Sequence, residues 1–447
     1  MTETKKISFK EFTEKFFVIS SFLMIASLLW GIEVAVKFVL LWEFSWIVMI
    51  LSNRKTISFK IDNLSLKILF IVSAIYFLLH IIGLLYSHNM HSAIQNIMIK
   101  IHILLIPIII ISTYKIIKKH IYSLLNIFVF STFLSSVVLI IVAFVKSLHF
   151  EAGELIFQSS LREGYSFFQS ILWPGNNFFY FHFSIFNHPS YMAALVLIAI
   201  AILLFIRVLP NQNKNIIDKI IEKNKVKIFL IIYLTLIVMM LMSKANYLII
   251  FAIFFFYFLT LKIKLKNKIG ILIIWSFFSI FIIAINPRYQ VFFKNFVAQL
   301  TNKKTEQVAS GTARLLYWER SFEIIQNNFW TGVGTGDVND MMVNKKNQSL
   351  DSPHNIHNEY IETFVRLGIF GEITFLMIFF LLIINATKNK NYFLISILLI
   401  VYINFFFESM LDRVTGVFLT GVFLSLAPIA GLNRDYKNEE SEIENSA

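Results

Sequence analysis

The stretch IFLIIYLTLIVMMLMSKANYLIIFAIFFFYFLTL, residues 228–261, is the clearest indication of how this chain folds, and its only charged residue is Lys244. As one continuous α-helix it would be about 50 Å long, whereas the hydrocarbon core of a bilayer is about 30 Å thick. The polar interruption Ser243–Asn246 therefore predicts a tight hairpin turn at a membrane face. It would join two membrane-spanning helices, at 227–242 and 245–261.

The composition of the whole chain supports the same class of fold. Of 447 residues, 57% are hydrophobic and only 15% are charged, too few charges to cover the surface of a soluble protein of this size. We therefore expect an all-α polytopic membrane protein. The chain has no Cys, which excludes disulfides, Cys-bound zinc and thiol catalysis.

Twelve runs in the sequence have about the 17–25 apolar residues that a membrane-spanning helix needs. They lie at 16–31, 34–51, 66–86, 100–114, 121–146, 190–209, 227–242, 245–261, 269–286, 364–385, 391–408 and 413–431. The basic N-terminus has no small-residue cleavage site, so we expect the first run to be retained as a span. No internal repeat suggests another architecture.

The basic residues predict which connections face the cytoplasm. The net charge of +13 comes mainly from short Lys/Arg-rich runs between apolar segments, which indicates cytoplasmic loops rather than a nucleic-acid surface. These runs are the N-terminus, 53–60, 115–120, 207–227, 262–268 and 387–390. They alternate correctly for one face, so Lys244, Arg314 and His357 are all predicted to lie on the opposite, outer side.

The spans and sides divide the chain into six segments. The predicted segments are N-terminal transmembrane helices at 1–146, an aromatic outer loop at 147–189, transmembrane helices at 190–286, a large outer segment at 287–363, C-terminal transmembrane helices at 364–431 and a cytoplasmic tail at 432–447. The large segment lies between spans nine and ten.

The two outer segments contain recognisable elements. Aromatic residues at 167–183 suit a segment in the membrane interface. Residues 312–328 predict an amphipathic helix with Leu315, Leu316, Phe322 and Ile325 on one face. The GVGTG stretch at 332–336 indicates a turn rather than a dinucleotide site, because no strand precedes it.

The sequence SPHNIHNEYIETFVRLGIFGE, residues 352–372, leads into the tenth span. Ser352 and Pro353 predict the start of a helix. On such a helix His357, Gly368 and Gly371 share one face, where the glycines would let another helix approach closely. Glu359, Glu362 and Arg366 fall on the opposite face, with Glu362 and Arg366 spaced to form an ion pair.

The spacing of the two histidines leaves two readings open. His354 and His357 share part of a helix face and could bind a metal, but there is no obvious third ligand and the pattern is weak. His357 could also serve a purely structural hydrogen bond. We expect no metal site.

Five stretches carry a resemblance to a known family. His357-Asn358, nine residues and Gly368-Ile369-Phe370-Gly371 resemble the His-Asn/Ser/Gln-x9-Gly-x-x-Gly signature of bacterial O-antigen ligases, which form a superfamily with O-antigen polymerases. Four other stretches are similar to segments of this family. In chain order they are FNHPSYMAAL (186–195), LMSKANYLIIF (241–251), ARLLYWERSFEIIQNNFWTGVGTG (313–336) and FFFESMLDRVTGVFL (405–419). The resemblance covers roughly residues 186–425.

The resemblance implies a fold, a location and a reaction. The fold would be glycosyltransferase-C-like, with twelve spans in the bacterial inner membrane, cytoplasmic termini and a periplasmic active site. The reaction would move a glycan from undecaprenyl pyrophosphate to a hydroxyl, of lipid A–core in a ligase or of another repeat unit in a polymerase. No cofactor is expected, because the pyrophosphate linkage of the donor supplies the energy.

The resemblance also implies roles for particular residues. His357 would be the general base, and Arg314 and Lys244 would bind the pyrophosphate. Lys244 replaces an arginine of the family and supplies a point charge without the guanidinium fork. Further candidates are Arg288, His354, Arg413 and Glu408, with Arg320 and His188. Fixed cations of this kind predict metal-independent transfer, and the family implies inversion at the anomeric carbon.

Other interpretations of the same residues remain open. Lys244 could be an ordinary basic hairpin tip, Arg314 an exposed cation at a helix start, and Glu408 could simply pair with Arg413. The acceptor could be lipid A–core, a repeat unit, a protein or another surface polymer. A membrane transporter of lipid-linked glycans is the alternative from another class. Against it, the sequence shows no clear half-to-half repeat and no chain of ionisable residues deep in mid-span.

Overall fold

The computed structural model describes residues 8–52, 63–151, 153–158, 164, 166, 175–206, 215–285, 310–343 and 355–431. The helices in these ranges are α1 (Phe9–Ser27), α2 (Ile32–Ser52), α3 (Leu64–Leu84), α4 (Met90–Ser112), α5 (Tyr114–Lys146), α6 (Tyr180–Phe183), α7 (Pro189–Phe205), α8 (Ile216–Ile221), α9 (Asn224–Met240), α10 (Lys244–Thr260), α11 (Leu265–Ile285), α12 (Ser310–Asn327), α13 (Val338–Met342), α14 (Glu359–Lys388), α15 (Tyr392–Phe407) and α16 (Val414–Ala430). A short 3-10 helix, Met410–Asp412, connects α15 to α16. Strands β1 (Leu148–Glu151) and β2 (Glu154–Phe157) form an antiparallel hairpin in which Leu148 faces Phe157.

The helices agree with the prediction of an all-α polytopic membrane protein. Five of them, α2, α3, α4, α5 and α14, are long and apolar enough to cross a membrane. Four more, α7, α10, α15 and α16, are apolar but shorter. Each of the predicted spans overlaps one of the described helices. The count of twelve crossings and the six segment boundaries stay predictions.

The hairpin predicted within residues 228–261 is confirmed. Helix α9 ends at Met240 and α10 begins at Lys244. Met242 adopts a left-handed conformation with φ +50°, which reverses the chain between the two helices. The backbone amide of Tyr247 then donates to the carbonyl of Ser243 at 3.1 Å, the first hydrogen bond of α10.

Helix α7 lies at the centre of the bundle. Its residues are buried on all sides, apart from the half-buried Ser190, and it packs against α5, α9, α10 and α15. A helix that is hydrophobic all round needs such a surrounding. The position of Ser190 is therefore fixed by the core.

Helix α4 begins ten residues before the predicted span 100–114, at Met90. A search for apolar runs misses the first three turns of this helix, because they include the polar residues His91, Gln95 and Asn96. Two of the polar residues in α4 have internal partners. Asn96 donates to the carbonyl of Thr335 at 3.2 Å, and Lys100 is 1% exposed within an ion pair.

The GVGTG stretch lies in a non-helical segment, as predicted, but it is more than a turn. We call residues 329–337 the strap, because they lie between α14 and the connection of α3 to α4. The amides of Val333 and Gly334 donate to the carbonyls of Val365 and Arg366, at 2.9 and 3.0 Å. Thr335 donates to the carbonyl of Gly83 at 3.3 Å, which joins the strap to α3.

Gly368 permits this crossing. Its φ of +63° and ψ of −162° belong to a region that is essentially restricted to glycine, and they kink α14. A Cβ atom at Gly368 would lie 2.3 Å from the carbonyl oxygen of Trp330. The expectation that Gly368 admits a neighbouring helix is therefore wrong, because the strap occupies that space.

The amphipathic helix predicted at 312–328 is confirmed as α12, Ser310–Asn327. Its buried side differs in part from the predicted one. Ser321, Ile324 and Ile325 are buried, whereas Phe322, predicted on the apolar face, is 52% exposed. The contacts of α12 with α13 and α14 select the buried residues.

Candidate functional site

His357 lies outside the helix that its sequence predicts. Helix α14 begins at Glu359, and the described residues before it, 355–358, are not helical. Ser352 and Pro353 lie outside the described residues. The prediction of a helix continuing from them through His357 is wrong, and so is the face assigned to His357 on that helix.

Two asparagines explain the later start of the helix. The side-chain oxygen of Asn358 accepts the amides of Tyr360 and Ile361, at 3.0 and 3.1 Å, which caps α14. The side chain of Asn355 accepts the amide of His357 at 2.7 Å. His357 itself has φ +55°, an uncommon conformation for a residue other than glycine that recurs at functional sites.

The imidazole of His357 contacts a carboxylate. Its Nδ1 lies 3.0 Å from Oε2 of Glu408, which directly follows α15. The side chain of His357 is 37% exposed and that of Glu408 is 12% exposed. A carboxylate at Nδ1 favours the tautomer with its hydrogen there, so Nε2 can accept a proton, and it stabilises the imidazolium that forms.

The other carboxylate oxygen of Glu408 has two more partners. A guanidinium nitrogen of Arg314 lies 3.6 Å from Oε1, and the hydroxyl of Ser190 donates to the same oxygen at 3.2 Å. We call Ser190, Arg314, His357 and Glu408 the His357 cluster. Helices α7 and α12, the residue after α15 and the segment before α14 bring these residues together.

The electrostatics of the cluster favour an ionised Glu408. Burial opposes ionisation, but the hydrogen bond from His357 and the charges of His357, His188 and Arg314 outweigh it. The pKa of Glu408 is consequently lowered from its ordinary value. The cluster therefore holds a carboxylate charge beside His357.

Lys244 connects to the cluster through the first turn of α10. Two residues after it, Asn246 donates to the carbonyl of Ser190 at 3.1 Å. The side chain of Asn404 in turn donates to the side-chain oxygen of Asn246, also at 3.1 Å. These contacts fix the start of α10 against α7 and α15, and Lys244, half-buried, is its first residue.

The remaining candidates have varied surroundings. Arg413 is exposed and precedes α16, and among the described residues no ion pair joins it to Glu408, so the predicted alternative of a Glu408–Arg413 pair is wrong. His188 is exposed and caps α7, where its side chain accepts the amide of Ser190 at 3.3 Å. Arg320 pairs with Glu323 at 2.9 Å. Arg288 and His354 lie outside the described residues.

Three site residues were missed in the sequence, Ser190, Asn246 and Asn404. Each is a polar residue near the end of an otherwise apolar helix, and Asn246 and Asn404 are buried. Because a buried amide needs hydrogen-bond partners, this pattern could have indicated an internal polar connection. It could not have indicated which residues are joined.

A second group of charges lies deeper in the protein, around Asp412 of the loop that also carries Glu408. We call Lys100, Glu359, Glu362, Arg366 and Asp412 the buried network. Lys100 pairs with Oδ1 of Asp412, and Arg366 lies 2.7 Å from Oδ2 of the same residue. Arg366 also lies 2.6 Å from Glu362, which confirms the ion pair predicted from their spacing.

The buried network lies at the ends of the predicted spans rather than at their middle. Helices α4 and α14 contribute Lys100, Glu362 and Arg366, each with a side chain at most 4% exposed. Burial of these charges depends on mutual neutralisation. Both cations in this group have a carboxylate partner, which is the condition under which charges can be buried.

Comparison with known proteins identifies a family for part of the chain. Residues 228–376 match the family described as O-antigen ligase. The match spans about a third of the chain and includes Lys244, Arg314 and His357, but ends before Glu408. A search of curated proteins found no match. The resemblance to the O-antigen ligase family is thus confirmed, and it supports an O-antigen ligase or polymerase type of function in a broad sense.

Proposed function

We propose that this protein, whose residues 228–376 resemble the O-antigen ligase family, is a glycosyltransferase of the ligase type. It would transfer a glycan from undecaprenyl pyrophosphate to a hydroxyl of lipid A–core, at the periplasmic face of the bacterial inner membrane. The observation that carries the proposal is the contact of His357 with Glu408 at 3.0 Å, beside Arg314.

His357 would act as the general base. Nε2 accepts the proton of the acceptor hydroxyl while the hydroxyl oxygen forms a bond to the anomeric carbon of the donor. The bond between that carbon and the phosphate oxygen breaks, its electron pair stays on the pyrophosphate, and undecaprenyl pyrophosphate leaves. Attack from the opposite face inverts the anomeric configuration. A positioned base typically accelerates such a step about 10²–10⁴-fold.

Glu408 would be a positioning residue in this reaction. It bonds Nδ1 of His357 and therefore leaves Nε2 as the ring nitrogen that can take a proton. Its negative charge stabilises the imidazolium that is formed when His357 takes the proton. Ser190 donates to Glu408 and limits rotation of the carboxylate.

Arg314 and Lys244 would stabilise the leaving pyrophosphate. The Arg314 side chain is 32% exposed, and its guanidinium lies 3.6 Å from Glu408, which also contacts His357. A guanidinium can bind two phosphate oxygens at once, whereas Lys244 would add a point charge. Two fixed cations would offset the charge that develops on the leaving group, so the proposed reaction requires no metal ion.

A transfer assay tests this function. Purified protein in proteoliposomes is mixed with an undecaprenyl-pyrophosphate-linked glycan and lipid A–core, and the products are resolved by gel electrophoresis and mass spectrometry. We expect glycan on lipid A–core and release of undecaprenyl pyrophosphate. Donor that crosses the bilayer without any transfer would contradict the enzyme and support a transporter.

The same assay separates ligase from polymerase. Longer chains on the lipid-linked donor, with no glycan on lipid A–core, would indicate an O-antigen polymerase that extends repeat units. Both reactions use the same donor and would use the same His357 cluster. The identity of the acceptor is therefore the distinguishing measurement.

A further inference from the structure

The loop that carries Glu408 is attached to the rest of the protein at its other end. Residues 408–413 connect α15 to α16 and include the 3-10 helix Met410–Asp412. One carboxylate oxygen of Asp412 contacts Lys100, and the other contacts Arg366. It is thus held from two sides, by α4 and by α14.

The backbone of the loop is fixed in the same region. The ammonium group of Lys100 lies 3.4 Å from the carbonyl oxygen of Leu411, and the carboxylate of Glu359 accepts the amide of Leu411 at 2.7 Å. Within the loop, Met410 donates to the carbonyl of Glu408 at 3.0 Å. A short, internally bonded loop of this kind transmits a displacement of Asp412 to Glu408.

We propose that Lys100 is a positioning residue for glycan transfer, acting through Asp412 to hold Glu408 against His357. The inference rests on the proposed function of His357 and extends it to α4, which lies outside the matched residues 228–376. Lys100 is 1% exposed and contacts the loop directly. Its role would be geometric.

The expected consequence of removing Lys100 follows from the two contacts of Asp412. With Lys100 replaced by Met, Arg366 is the remaining cation at the carboxylate, and Asp412 can rotate toward it. The loop then shifts and Glu408 loses its position at Nδ1 of His357. Small displacements of catalytic groups can cost up to about 10²-fold in rate.

A double-substitution cycle tests this coupling. The variants Lys100→Met, Glu408→Gln and their combination are compared by kcat and by the KM for the lipid-linked donor. We expect Lys100→Met to lower kcat about tenfold or more with little change in KM. In the Glu408→Gln background the same substitution should change kcat by less than about twofold, because the contact it supports is already lost. Equal factors in both backgrounds would overturn the inference.

The chain offers a matched control on the same helix. His102 lies two residues after Lys100 in α4, and its Nε2 is 3.3 Å from Oε1 of Glu43 in α2. This pair is also largely buried, and within the described part of the chain it forms no hydrogen bond or ion pair with the loop 408–413. Glu43→Gln should therefore leave kcat unchanged. If Glu43→Gln lowered kcat as much as Lys100→Met, a general loss of packing would explain both effects.

A second measurement does not depend on enzyme activity. His357 is exposed enough to react with diethyl pyrocarbonate, and mass spectrometry gives its modification rate. We expect the rate in Lys100→Met to match that in Glu408→Gln and to differ from the wild-type rate. A wild-type rate in Lys100→Met would overturn the inference. Absence of transfer by wild-type protein would contradict the proposed function alone.

If Lys100→Met does not fold, the milder variant Asp412→Asn tests the same contact. The neutral amide weakens both ion pairs of Asp412 but preserves its size. It should show the same loss of kcat and the same dependence on Glu408. Unchanged kcat in a folded Asp412→Asn variant would overturn the inference.

Discussion

The His357 cluster and the buried network share one short loop, yet their charges are arranged in opposite ways. In the buried network, Arg366 lies 2.6 and 2.7 Å from two carboxylates, and its side chain is 4% exposed. In the His357 cluster, Arg314 lies 3.6 Å from Glu408 and is 32% exposed. A closely paired, buried group of charges has an anchoring role, whereas a looser, accessible one can exchange partners with a ligand.

The first prediction breaks the buried network. Arg366→Met removes the cation shared by Glu362 and Asp412 and leaves a buried carboxylate without it. Breaking a buried ion pair in this way costs about 3–5 kcal/mol. We expect a large fall in the thermal unfolding temperature in detergent. Lys388→Met, at the exposed end of α14, is the control and should leave this temperature almost unchanged. Equal stability of the Arg366 and Lys388 variants would contradict an anchoring role.

The second prediction breaks the His357 cluster. His357→Ala removes the proposed base, so transfer should fall by about 10² or more while folding in detergent is retained. The measurement is single-turnover glycan transfer, with thermal unfolding recorded alongside. His91→Ala is the control, since His91 is exposed and bonds Gln95 one turn along α4. Near-normal transfer by His357→Ala would remove this residue from the mechanism.

The third prediction tests whether Arg314, the accessible cation of the His357 cluster, contributes more to transfer than a cation paired elsewhere on the same helix. Arg314→Gln should lower kcat/KM for the lipid-linked donor by about tenfold to a hundredfold, the value of one or two charged hydrogen bonds. Stability should change little, because the ion pair with Glu408 is long and partly exposed. Arg320→Gln, on the same helix, is the control for a cation paired elsewhere. Similar losses in both variants would indicate a general charge effect.

The fourth prediction concerns pH and is the smallest. The pKa of Glu408 is lowered in the folded protein, so its charge adds stability above the pKa of an unfolded glutamate. That contribution is lost as the pH falls through the folded value. The difference in unfolding temperature between wild type and Glu408→Gln should therefore shrink on going from pH 7 to about pH 3. A difference that grows in acid would contradict the sign of this pKa shift.

Prediction from sequence succeeded where a short stretch carries the information. The hairpin before Lys244, the amphipathic helix α12 and the Glu362–Arg366 pair all depend on neighbouring residues or on spacing within one helix. The family motif also named His357 and Arg314 as candidates. In the structure both contact Glu408, whereas their roles in a reaction stay predictions.

Prediction failed where distant residues change a local preference. The space at Gly368, for example, is taken by the strap. The start of α14 at Glu359 was missed for a local reason, because the adjacent Asn358 was not recognised as its cap. Lys100 was not considered as a functional residue, because a single Lys at the edge of an apolar run gives no sign of a buried partner. Asp412, that partner, is 312 positions away in the chain.

The amino-acid sequence alone shows that this protein consists of apolar helices joined by polar turns, because hydrophobicity is a property of each run of about 20 residues. The packing of the helices is needed to show that Glu408, 51 positions from His357, contacts its imidazole, and that Lys100 contacts the loop of Glu408. Contacts of this kind depend on how whole helices pack. The same packing provides the low dielectric and the paired charges that make such contacts strong.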